Sequence, residues 1–252
     1  MFSTAKMLVL SLALLCLLPY AAGAEGAVGV ADASGAQGQP LSEKQQSIVL
    51  ISAYTATGEL DKLKTSLAQG LDAGLTVSET REILVQLYAY TGFPRSLNAI
   101  HTLMALLDER KKDGIKDDPG REPAPMPKDL DRNRYGAETR ARLAGQGTVP
   151  PAAGYQLFAP AVDDFLKEHL FADIFYRDNL DWQSRELATV SALAAMTGTA
   201  GQQRFHINAA MNMDLKEDQL RALFGLIEKA AGRERAEVSL KVLDAVLAAR
   251  GK

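Results

Sequence analysis

The chain has 252 residues, 47% of them hydrophobic and 23% charged, with a formal net charge of −3. That is enough apolar material for a real core, and the balance is that of a soluble globular protein rather than a disordered or fibrous one. No lysine- or arginine-rich run is present, so nucleic acid is not an expected partner.

The chain opens with MFSTAK, an apolar run MLVLSLALLCLL and a small-residue stretch AAGA. This layout predicts a secretory signal peptide over residues 1–24, cleaved after Ala24. The apolar run is too short to span a membrane comfortably, and an uncleaved membrane anchor is the alternative reading. The expectation is a periplasmic or secreted protein with no membrane contact after cleavage. Cys16, the only cysteine, lies inside this segment. The mature chain is therefore expected to have no disulfide, thiolate nucleophile or cysteine metal site. Residues 25–40, rich in glycine and alanine, read as a flexible leader.

From Leu41 the pattern becomes helical. Ser42 is the predicted N-cap of a helix stopping at Gly58. Leu60, Leu63, Leu67 and Leu71 mark a second helix, ending by Gly74. Thr76 and Glu79 form a T-x-x-E capping box for a third, which ends near Gly92. Pro94 opens a fourth, ending at Gly114. Residues 115–180 form a long connector: two proline-rich loops flank a helical stretch, DRNRYGAETRARLA, and a second helical pattern follows, with Phe165, Leu166, Phe171, Ile174 and Phe175 on one face. Its aromatic content predicts that it packs over the rest.

From residue 181 the first pattern returns. Leu75, Arg81, Gly92 and Arg95 meet Leu215, Arg221, Gly232 and Arg235 at a constant offset of 140. No stretch shows strand-like alternation. The prediction is an all-α protein with two related halves, 41–114 and 181–252.

Two stretches, SRELATVSALAAMTGTAGQQRFHINAAMNMDL and LAQGLDAGLTVSETREILVQLYAYTGFPRSLNAI, resemble the carboxymuconolactone decarboxylase and alkylhydroperoxidase (AhpD-like) superfamily. The resemblance implies a tandem duplicated AhpD-like helical domain with a long central connector. It also implies self-association, with a homotrimer of pseudo-sixfold symmetry as the natural form for a doubled chain. Peroxidase members carry C-x-x-C shortly before a histidine. Here that histidine is His206, and the cysteine positions fall near Thr199 and Gln202. A peroxidase is thus disfavoured. The resemblance implies a decarboxylase or related lyase, working without a cofactor on a small unsaturated lactone or cyclic carboxylic acid. A non-catalytic oligomeric protein that binds a small ligand is the other alternative.

Several residues are candidates. His206 is either a packed histidine on a helix surface or a general acid–base. Glu82, Gln86 and Tyr90 share one helix face at i, i+4 and i+8. That face is either a solvated stripe or a wall on which Glu82, beside aromatic surface, has a raised pKa. Arg185 and Glu186 read as an ion pair at a helix start. Under the resemblance, Arg185 or Arg81 would instead bind a substrate carboxylate, His206 would donate the proton, and Glu82 or Tyr90 would orient it. Tyr90 and Phe93 would wall the pocket. With three scattered histidines, His101, His169 and His206, no metal site is expected. The two halves complement one another. The first has Glu82 and Tyr90 but Ser66 in place of His206, and the second has His206 but Ala222 and Ala230 in place of Glu82 and Tyr90. That pattern predicts one pocket shared between halves or between subunits, with drift after duplication as the alternative.

Overall fold

A computed structural model describes residues 40–251. The expected signal peptide, its cleavage site, Cys16 and all but the last residue of the leader lie outside the described residues. The fold is all-α, as expected, with no strand among the described residues.

The first four helices are α1 (Glu43–Thr57), α2 (Leu60–Asp72), α3 (Val77–Thr91) and α4 (Phe93–Lys112). Local chemistry sets their ends. The Ser42 hydroxyl accepts the Gln45 amide at 3.2 Å while the Gln45 side chain takes the Ser42 amide at 3.0 Å. Thr76 and Glu79 do the same for α3, at 3.1 and 2.9 Å. Each box satisfies two of the amides that a helix start leaves unpaired. Between α3 and α4 the chain turns on Gly92, at φ 80° and ψ 158°, a conformation that side chains resist.

The last four helices are α8 (Trp182–Ala195), α9 (Ala200–Asn212), α10 (Glu217–Ala231) and α11 (Arg233–Ala249). The first residues of α2, α3 and α4 recur 140 positions later as the first residues of α9, α10 and α11. Gly232 repeats the Gly92 turn at φ 100° and ψ 156°. The two sets share one core, with Ile51, Leu67, Leu84 and Leu87 packed in the same cluster as Leu187, Leu223, Phe224 and Leu243. Helices α1 and α8 pair at the centre, α3 lies on α8, and α10 lies on α1. Every residue of α8 from Arg185 to Ala195 is buried, so any polar group on its first turn must find partners inside the protein.

Between the sets lie α5 (Arg132–Leu143), α6 (Tyr155–Phe158), α7 (Pro160–Phe165) and a π-helix, Leu166–Ile174. The expected single helix after Pro160 is therefore corrected: its second part is wound wider, and the Phe175 amide reaches back five residues to Leu170 O. A close crossing accompanies this. A Cβ on Gly136 of α5 would lie 1.8 Å from the Lys167 carbonyl oxygen, so only glycine admits the bulged backbone. The connector does pack over the rest. Leu170, Phe171, Ile174 and Phe175 form a second cluster with Leu143 and Ala209, and Tyr88, Tyr90, Trp182 and Phe205 pack against it.

Candidate functional site

Arg185 and Glu186 are adjacent on the buried first turn of α8, so their side chains diverge by roughly 100° around the helix axis. Arg185 points to α3 and Glu186 to α9. The ion pair expected between them is therefore absent, and each anchors a separate polar group.

On the α3 side, Arg185 Nη2 donates to Glu82 Oε1 and Nη1 to Gln86 Oε1, both at 2.9 Å. It also donates to the Arg177 carbonyl. Arg177, from the connector, grips the same carboxylate, with Nε at 3.0 and 2.9 Å from the two Glu82 oxygens. Gln86 Nε2 donates to Arg185 O and to Thr189 Oγ1, each at 2.8 Å. The side chains of Glu82 and Arg185 are both wholly buried. Burial pushes the Glu82 pKa up, but the hydrogen bonds and charges of Arg177 and Arg185 outweigh it and hold the carboxyl below its usual range. This corrects two expectations. Glu82 is an ionised structural partner, not a carboxylate that carries a proton at neutral pH. The Arg185 guanidinium is occupied by Glu82, not open to a substrate.

On the α9 side, Glu186 Oε2 lies 2.8 Å from His206 Nδ1. The carboxylate is acceptor-only, so Nδ1 carries the proton and Nε2 is the nitrogen left for chemistry. The His206 side chain is only 7% exposed. The Tyr90 ring meets it edge-on, centroids 5.4 Å apart, and Phe205 does so at 5.0 Å. Glu186 Oε1 is buried without a hydrogen-bond partner, and the Tyr90 hydroxyl is buried without a well-aligned one, with Thr189 close enough to favour its ionised form slightly. Burial, reinforced by the Glu186 charge, pushes the Tyr90 pKa far up, so it is a neutral phenol.

Tyr90 therefore reaches His206, while Glu82 does not bond to it. The link between them is the Arg185–Glu186 step along α8. Glu82 and Tyr90 of the first set meet Arg185, Glu186 and His206 of the second within one chain. At the positions related by the 140-residue offset stand Gln45, Gln46, Ser66, Ala222 and Ala230, which bring no ionisable group.

Two candidates stand apart. Arg81 is 40% exposed and pairs with Glu122 at 2.6 Å. Phe93 is 63% exposed and stacks on Tyr88 at 4.5 Å, so it covers surface rather than walling the His206 site. Two participants went unread in the sequence, Arg177 in the connector and Thr189 within the SRELATVS stretch, and Glu186 pairs with His206 rather than with Arg185. The Glu186–His206 spacing crosses a helix turn and carries no periodic signal. Thr199, near a position where peroxidase members carry cysteine, gives its hydroxyl to Leu193 O at 2.7 Å.

Residues 160–245 match the model of the carboxymuconolactone decarboxylase family. This segment is similar to that family. It runs from α7 into α11 and holds Arg177, Arg185, Glu186 and His206. Glu82, Gln86 and Tyr90 lie before it, so the buried polar site combines residues of the matched segment with residues from α3. No curated protein matches the chain.

Proposed function

We propose that the chain is a cofactor-free acid–base catalyst, a decarboxylase or related lyase acting on a small unsaturated lactone or cyclic carboxylic acid. The observation that carries this reading is the buried Glu186–His206 pair with the Tyr90 ring packed against it. In such a reaction the bond between the ring carbon and the carboxylate breaks and carbon dioxide leaves. The electron pair stays on the ring as a dienolate, and a proton from His206 Nε2 quenches it at carbon. A carboxylate behind Nδ1 fixes the ring orientation and stabilises the imidazolium that must precede this transfer. Tyr90, kept neutral, donates to the developing enolate oxygen. A peroxidase reading finds no thiol near Thr199 or Gln202.

A ligand-binding role without turnover is the second reading, and the near-complete burial of His206 favours it. Both are tested by offering the purified protein a panel of unsaturated lactone acids and following carbon dioxide release. The decarboxylase reading expects release that falls by two orders of magnitude or more in His206→Ala and in Glu186→Gln, the range for a lost general acid. No release from any compound, with binding retained, would establish the second reading in its place.

A further inference from the structure

We propose that a cleft at the junction of the two helix sets, separate from the His206 site, binds a small organic anion with two carboxylates. The cleft has a volume of about 590 Å³ and is lined by pairs of residues related by the 140-residue offset, Thr57 with Thr197 and Arg95 with Arg235. Its floor includes Ala56 and Ala195. A threonine and an arginine from each helix set line one cleft, an arrangement complementary to a ligand with two like ends.

The charges agree. Arg95 and Arg235 form no ion pair among the described residues, although most arginines of this protein do. Arg235 gives Nη1 to the Ala231 carbonyl at 2.7 Å, while its Nε is buried without a partner. One carboxylate lines the cleft, Glu59, and it lies 3.2 Å from Lys62. Both arginines stand in the first turn of their helices, α4 and α11, where the macrodipole disfavours a cation. Arg235 has a local role, since it caps the last carbonyl of α10, but its own helix start gives no reason for Arg95, whereas a bound anion does, because it meets a planar fork and a helix N-terminus together. The Thr57 hydroxyl has only a long 3.4 Å contact, to Tyr54 O, and can turn to a carboxylate oxygen. A cleft of this size admits a small-molecule ligand with room for ordered water.

The test is titration calorimetry of the full chain at low salt with sodium succinate, with butyrate and inorganic phosphate as comparators. Succinate is expected to bind saturably, butyrate about tenfold more weakly because it engages one arginine only, and binding is expected to fall about tenfold in Arg95→Gln and in Arg235→Gln. Arg95 is exposed and makes no hydrogen bond among the described residues, so its variant is expected to fold. The proposal is overturned if succinate fails to saturate, if Arg95→Gln binds it as well as wild type, or if phosphate binds more tightly than succinate. The assay reads binding, not turnover, so it stands whether or not the buried His206 site is catalytic.

Discussion

Replacing Glu82 with glutamine would leave two guanidinium groups, Arg177 and Arg185, facing a neutral amide inside the protein. Removing one partner from a buried charge cluster costs about 3–5 kcal/mol, so Glu82→Gln is expected to lower the urea midpoint strongly. A variant as stable as wild type would mean that the cluster is not built as described. His206→Gln, by contrast, removes the only partner of the buried Glu186 carboxylate while supplying an amide that can donate to it, and is expected to cost about 1–3 kcal/mol, the cost of one unsatisfied buried group. At the connector, Asp163 accepts from Arg140 at 2.6 Å and from Gln156 at 3.0 Å, with Lys167 at 3.1 Å. Burial works against its ionisation, yet these three partners bring its pKa down to about 2. A carboxyl whose folded pKa is lowered stabilises the fold above its unfolded pKa, and that contribution is lost as pH falls through the folded value. The shift corresponds to about 2 kcal/mol. Asp163→Asn should therefore be less stable than wild type near neutral pH, with the difference closing as pH falls from about 4 to about 2. Urea unfolding at pH 7 and pH 2.5 checks the sign.

At the scale of elements, the crossing of α5 with the π-helix depends on one missing side chain. The Cβ of Gly136→Ala would overlap the Lys167 carbonyl. That atom belongs to backbone, so the helices must separate. Overpacking of this kind costs about 1–3 kcal/mol. The cluster of Leu170, Phe171 and Phe175 should loosen with it, and hydrogen exchange in residues 166–175 should quicken before that of α8. If exchange there is unchanged, the wide winding does not rest on this contact. The same connector carries Arg177 to Glu82 and presses its aromatic face on Tyr90. The covering element thereby holds the buried polar site as well as sealing it.

At the scale of the molecule, we propose that the coincident helix starts of the two sets reflect a tandem duplication. Such a chain is expected to assemble as a trimer with pseudo-sixfold symmetry. Leu157, Phe158 and Phe165 on α6 and α7 are large apolar side chains left exposed in one chain, and assembly would bury surface of this kind. Sedimentation at micromolar concentration checks this, and a monomer there ends the proposal. Export with cleavage after Ala24 is likewise expected, and the mass of the mature protein decides it.

The sequence alone determined the all-α class and the ends of several helices outside the connector. Ser42, Thr76, Glu79, Gly92 and Gly232 act within three or four residues, through caps and a backbone conformation that glycine alone adopts cheaply, so their effect is readable locally. Periodicity likewise marked the core faces, because burial follows helical geometry. The complementary losses at an offset of 140 suggested a pocket shared by His206, Glu82 and Tyr90; in the structure the Tyr90 ring packs on His206, while Glu82 bonds to Arg177 and Arg185. What only the tertiary structure decided is which charge meets which. Arg185 and Glu186 look like a pair along the chain, yet adjacent residues on a helix diverge, and burial on all sides makes each seek a partner on a different neighbour. Glu82 looked like a carboxylate against an aromatic wall. Arg177, 95 residues away, arrives with a second cation and reverses the direction of its pKa. Electrostatics in a low-dielectric interior depends on distances of a few ångströms between segments remote in sequence, and no local pattern encodes those.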